Sequence, residues 1–332
     1  MRNVAVSVLL AVGVAAVIVP GPASAAEQRV LRRRVATEDG VLLALYRYAP
    51  KRVASGPAVL LVPDLGMGRE AFDSDGKGLA PFLARQGRDV FVLEPRGHGR
   101  SETPEGWGLE EVVRFDLPAA VAAIAQEREG PVDLVVHGWS GTLALGACSE
   151  ELKGRVRRVV ALSTPVEPVP PSVYAAALLE GGGRFAALAR DPASAEAFEV
   201  LFAKHGGVPK RTLARLRSEA FHDLSPRAAG ELSAWMTKGE LMVGTRSLTD
   251  RLRAYDRPTL QLVALRNNWA SPEAATPLRE VAPEAKVQLR VLSILHYLSE
   301  DYTHLSLLHG SKAEREIFNP IARFLSAPEV TR

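Results

Sequence analysis

The sequence predicts an α/β protein: a mostly parallel central sheet with an N-terminal hairpin and a helical cap. Three observations predict it. Short, continuous apolar runs recur at residues 58–62, 90–93, 132–136, 156–162, 259–265 and 287–294, as expected for strands covered on both faces. Helical spacings fill most of the gaps, and strand–helix alternation implies right-handed crossovers. The alternation fails once, between residues 164 and 255, where helical patterns follow one another with no clear strand.

The elements are justified in chain order. β-type runs at 30–36 and 41–48 flank Glu38-Asp39-Gly40, and Asp-Gly between such runs is a hairpin signal. After the run at 58–62, Leu79, Phe82 and Leu83 precede Gly87, a helix stop. Residues 112–125 carry Val113, Leu117, Val121 and Ile124 at helical spacing; 143–152 and 314–325 are further helices. The strandless section is bracketed by Pro165, Pro168, Pro170 and Pro171 at its entrance and Pro258 after its exit. Its predicted helices are 174–179, 185–189, 193–204, 210–221 and 228–237. A stretch this long is not an ordinary loop; a cap over one edge of the sheet accounts for it.

The N-terminus reads differently. Met1-Arg2-Asn3 precedes an apolar run from Val4 to Val19, then Pro20-Gly21-Pro22 and Ala23-Ser24-Ala25. This is the order of a secretory signal peptide, and the run is short against the roughly 20 residues that span a bilayer. The expected organisation is a signal peptide at 1–25, a core of 26–163 and 256–332, and a cap at 164–255. The expected location is periplasmic or extracellular, with no stable membrane span in the mature protein.

Composition excludes several functions. The chain has 332 residues and one cysteine, Cys148, so no internal disulfide and no thiolate-rich zinc site can form. Lys and Arg number 41 against 38 Asp and Glu, too small an excess for a nucleic-acid binder driven by counterion release. There is no metal-ligand cluster and no phosphate-cradling loop after a strand, so no cofactor is expected.

The chemistry-bearing motifs follow strands. Val135-Val136-His137-Gly138-Trp139-Ser140-Gly141-Thr142-Leu143 carries a buried strand into a serine and then a helix. It resembles the nucleophile elbow of the α/β-hydrolase family, G-x-S-x-G, with Thr142 where the second glycine is usual. Leu61-Val62-Pro63-Asp64-Leu65-Gly66-Met67-Gly68 is similar to the family's oxyanion loop, which usually has His-Gly at the Pro63-Asp64 position. Arg96-Gly97-His98-Gly99-Arg100-Ser101 resembles its R-G-x-G-x-S turn, and Asp301-Tyr302-Thr303-His304 resembles the D-Y-G-H of a lipase-like, polyhydroxyalkanoate-synthase-related branch. The resemblance spans most of 30–325 and implies an α/β-hydrolase fold.

It also implies roles. Ser140 is the expected nucleophile and His304 its base, in the chain order serine, acid, histidine. Asn267 falls where the acid is usual, in Leu265-Arg266-Asn267-Asn268-Trp269; Glu167 and Asp301 are the alternatives. The implied oxyanion donors are the N–H groups of Leu65 and Gly141, and Trp139 and Trp269 are candidate pocket walls. An amide at the acid position cannot stabilise an imidazolium by charge, and in a serine protease that exchange lowers turnover about 10⁴-fold. Two classes of function remain. One is an exported serine hydrolase cleaving a small, lipophilic ester, with acyl transfer open as a variant. The other is a catalytically weak or inactive binding protein on the same fold.

Overall fold

The computed structural model describes residues 30–203 and 207–328. The predicted signal peptide at 1–25 and its cleavage point lie outside the described residues. Strands β1 (Val30–Ala36) and β2 (Leu42–Tyr48) form the predicted hairpin. Six further strands join them: β3 (Val59–Val62), β4 (Val90–Glu94), β5 (Val132–His137), β6 (Val156–Leu162), β9 (Thr259–Ala264) and β10 (Val287–Leu292). The sheet order is β1-β2-β4-β3-β5-β6-β9-β10. β2 runs antiparallel to β4, and from β4 to β10 every pairing is parallel. β3, β4, β5 and β9 are buried along their whole length, which is why their sequences are mainly apolar rather than alternating; the polar exceptions, Glu94, Asp133, His137, Thr259 and Gln261, are themselves buried.

Between β6 and β9 the chain is mainly helical: Val173–Glu180, Phe185–Arg190, Lys210–Glu219, Pro226–Lys238 and Leu248–Arg253. The section is not strandless. β7 (Met242–Val243) and β8 (Arg246–Ser247) pair as a two-residue hairpin, too short to show a period in sequence. The helix expected at 193–204 is broken into a 3₁₀ turn, one α turn and a π turn, Glu199–Ala203.

Cap aromatics pack down onto the carboxyl ends of the strands. Phe202 contacts Phe185, Phe198, Phe221 and Trp269, and Phe185 contacts Trp269 edge-on at 5.1 Å. Trp235 meets Trp139. Polar ties hold the loops. The buried Arg96 guanidinium bridges Asp116 and the hairpin-turn residue Asp39. His98 accepts the Gly66 N–H on one ring nitrogen and donates to the Arg96 carbonyl with the other. That histidine braces the loop after β3.

Candidate active site

Four strands deliver four side-chain positions to one place. Asp64 follows β3, Gly138 follows β5, Asn267 follows β9 and His304 follows β10. All lie beyond carboxyl ends of parallel strands, where α/β sheets bind their ligands.

The turn after β5 corrects the sequence expectation. β5 ends at His137 in extended conformation, and the helix Gly138–Cys148 starts at once. The residue with positive φ at this turn is Gly138, at +52°, a conformation glycine adopts without a Cβ penalty. The strained strand-to-helix position that presents a hydrolase nucleophile is therefore Gly138. Ser140 lies two residues further on, inside the first turn of the helix. It is buried and its Oγ has no hydrogen-bond partner. The expected Ser140–His304 hydrogen bond is not made.

A carboxylate fills the space instead. A Cβ built on Gly138 would overlap the Asp64 carboxylate. Asp64 Oδ1 accepts the N–H of Trp139 at 2.6 Å, of Leu65 at 2.7 Å and of Ser140 at 3.3 Å. Its Oδ2 accepts the Trp269 indole N–H at 2.8 Å. The residue after the turn and the loop after β3 are the two sources of an oxyanion hole. With the turn at Gly138, the N–H groups at those two positions are those of Trp139 and Leu65, not the expected Gly141. Both are spent on Asp64. Gly141 has another role: a Cβ there would overlap Thr164, so the missing side chain lets the helix pass close to the β6 loop. Asp64 is wholly buried, and burial raises its pKa to about 6 against the pull of His137 and the Trp269 hydrogen bond.

His304 closes the network. Its Nε2 lies 3.1 Å from Asp64 Oδ2, outside good hydrogen-bond alignment. Its ring stacks on His137 at 4.1 Å and meets Phe202 edge-on. On the other side the Asn267 amide nitrogen lies 3.2 Å from His304 Nδ1. The Asn267 oxygen already accepts the N–H groups of Trp269 and Ala270, so its NH₂ must face the histidine. Nδ1 then accepts, and the ring proton sits on Nε2, toward Asp64. A triad carboxylate imposes the opposite tautomer, leaving Nε2 free as the base. Burial lowers the His304 pKa to about 3, so the ring is neutral at ordinary pH.

The alternative acids stand elsewhere. Glu167 is exposed to solvent. Asp301 accepts from Ser293 Oγ and the Ile294 N–H and pairs with Arg266. Trp139 and Trp269 do line the centre, 6.2 Å apart at their ring centroids, and Trp269 is also a donor to Asp64. Among the described residues no group of His, Cys, Asp or Glu could hold a metal ion. A cleft of about 710 Å³ opens at the opposite end of the sheet, lined by Gly154, Arg157, Arg257 and Lys286. It touches none of these residues.

The alpha/beta hydrolase family pattern matches residues 59–314. The chain belongs to the α/β-hydrolase family. No curated protein matches it. Solved structures share the fold at low identity. An esterase from Exiguobacterium antarcticum is 16% identical with a TM-score of 0.63, covering 90% of this chain and 100% of that one. The enol-lactonase from Burkholderia xenovorans has the same identity and TM-score, covering 89% and 100%. A putative lipase from Acinetobacter baumannii is 14% identical with a TM-score of 0.63, covering 89% and 92%. For an α/β-hydrolase, the substitutions at the reaction centre are therefore the informative feature.

Motif matching placed Asp64 in the oxyanion loop where glycine is usual; that its carboxylate fills the space beside Gly138 was not legible, yet one signal pointed to the turn. The strand β5 runs through Leu134, Val135 and Val136 to His137, which leaves Gly138 as the first residue off the strand. The G-x-S spacing drew attention two residues too far along.

Proposed function

We propose that this chain is an exported α/β-hydrolase-fold protein that binds a small, lipophilic molecule and does not carry out serine-dependent ester hydrolysis. One observation carries the reading: glycine stands at the nucleophile turn, and the Asp64 carboxylate fills the space a nucleophile would take. Serine catalysis needs a hydroxyl there and an empty oxyanion hole. Here the hole already holds a negative charge. A second oxyanion about 4 Å away would be repelled by about 4 kcal/mol at an effective dielectric of 20, close to a thousandfold in rate. The Asn267-imposed tautomer removes the base as well. Acyl transfer requires the same acyl-serine and fails for the same reasons. The aromatic wall of Trp139, Trp269, Phe185 and Phe202 supports an apolar ligand, and the leader-like sequence at 1–25 supports export.

The test is labelling of the purified protein with a fluorophosphonate probe, beside turnover of short p-nitrophenyl esters. No label and no turnover above background is the expected result. Label at Ser140, lost in Ser140→Ala, would overturn the reading. For export, the secreted form should begin near Ala26 by mass.

A second reading has one specific observation in its favour. The two Asp64 oxygens are held differently: Oδ1 in the oxyanion donors, Oδ2 toward Trp269 and His304. That difference between the two oxygens supports reading Asp64 as a carboxylate nucleophile. Oδ2 would attack an epoxide carbon, the ring C–O bond would break, and the ring oxygen would take a proton from water. The hydroxide left by that water would then cleave the Asp64 ester at its carbonyl carbon, returning the carboxylate and releasing a diol. Incubation with a glycidyl ether, followed by mass analysis of the peptide holding Asp64, separates the readings. An adduct favours this one; an unmodified peptide favours the binding protein.

A further inference from the structure

The carboxyl ends of β6, β9 and β10 carry exposed apolar side chains that no other part of the described chain covers. After β10 the turn at Ser293–Tyr297 holds Ile294, Leu295 and Tyr297 at 55%, 78% and 100% exposure. After β9 stands Leu265, and after β6 the helix Val173–Glu180 opens with exposed Val173 and Tyr174. These strands are parallel neighbours, so the residues emerge along one edge of the molecule. Contacts tie them together: the Leu265 N–H donates to the Leu292 carbonyl, and Ser172 Oγ donates to the Asn268 carbonyl.

The turn after β10 is built to project. Ser293 Oγ accepts the Leu295 N–H and donates to Asp301. Asp301 also accepts the Ile294 N–H and pairs with Arg266, so the acid that braces the tip is itself neutralised. Tyr297 sits at φ +62°, a left-handed conformation that is a genuine outlier for a bulky residue. That conformation closes the 3₁₀ turn, with the Tyr297 N–H donating to the Ile294 carbonyl, and it leaves the ring wholly exposed.

We propose that this edge docks on a lipid bilayer, with Ile294, Leu295 and Tyr297 entering the interfacial layer and Val173, Tyr174 and Leu265 resting on it. The size of the patch selects this occupant. A stable protein interface engages roughly 20–30 residues a side; six exposed apolar side chains fall well short. A bilayer demands no matching shape, accepts apolar side chains by area, and favours tyrosine at the headgroup level. The docked edge lies at the same carboxyl end of the sheet as the buried Asp64 and His304, so a lipophilic molecule leaving the bilayer would arrive at that end, beside the cap. This inference does not depend on whether the centre turns over its ligand.

Cys148, the chain's one cysteine, is buried, which allows a clean reporter. His296→Cys, in the full chain, places a single accessible thiol on the tip without removing its apolar residues. A polarity-sensitive dye there should shift to the blue on adding vesicles of phosphatidylethanolamine and phosphatidylglycerol, and the shift should survive high salt. In a Leu295→Ser/Tyr297→Ser background the partition should fall by roughly tenfold per side chain removed. These positions are exposed, and an unchanged melting curve would show that the background still folds. No shift on vesicles, or a shift that the double substitution leaves intact, overturns the proposal. A blue shift that grows with protein concentration in the absence of lipid overturns it in favour of a second copy of the chain.

Discussion

The Asp64 carboxylate lies where a side chain on Gly138 would project, so the two positions cannot both bear a functional group. Each residue explains the other. Glycine at the turn leaves a hole, and the aspartate fills it while satisfying the backbone donors that would otherwise be bare.

Restoring the serine alone should therefore fail. Gly138→Ser collides with Asp64 and places a Cβ at φ +52°; a loss of about 1–3 kcal/mol in stability is expected, with no fluorophosphonate label. Gly138→Ser combined with Asp64→Gly and Asn267→Asp should acquire the label. Urea denaturation and probe labelling check the two parts, and labelling of the single variant would contradict the overlap.

Ser140→Ala should change little. Its hydroxyl has no hydrogen-bond partner, so stability should move by no more than about 1 kcal/mol and ligand binding not at all. A large effect on either would return Ser140 to the centre.

Trp269→Phe removes the indole donor to a buried carboxylate. Hydrogen bonds to charged groups contribute about 1.5–3 kcal/mol, so a loss of that order is expected. The Asp64 pKa, now about 6, should rise further. Carbon-detected titration of the Asp64 carboxyl group reads the direction.

Acid should destabilise the fold. Burial lowers the folded pKa of His304 to about 3, and of His98 and His309 to about 4, from 6.5. Between those values the unfolded chain binds protons that the folded chain does not. Each histidine therefore withdraws about 1.4 kcal/mol per pH unit as pH falls through that window. Asp64 works the other way. Its folded pKa of about 6 stands above the ordinary 3.8, so its contribution is fully present below 3.8 and is lost as pH rises through 6. The histidines outnumber it, and net stability should fall from pH 6.5 downward. His304→Gln should flatten that slope when stability is measured across pH.

Much of the centre was legible in sequence. Asn267 and His304 were placed from the strings around them, and the structure brings them to 3.2 Å. The hairpin at Asp39-Gly40 and the apolar runs correspond to β1–β6, β9 and β10, and double-sided burial explains the signature of the inner strands; β10, expected to be covered on both faces, is instead an edge strand with Gln288, Leu289 and Arg290 exposed. The two-residue strands β7 and β8 left none.

By itself the sequence determined the alternation of strands and helices, the family motifs that follow them, and a histidine faced by an amide rather than an acid. Only the tertiary structure decided what stands at the nucleophile. β3 and β5 pair in parallel with Val62 opposite Val136. Two residues beyond that pair, the chain sets Asp64 beside Gly138. Each loop shows its own departure in sequence, Asp64 in place of a usual glycine and Gly138 at the end of the β5 run, but that the two meet depends on register between strands far apart in the chain. That register turned a recognisable serine motif into a buried carboxylate network.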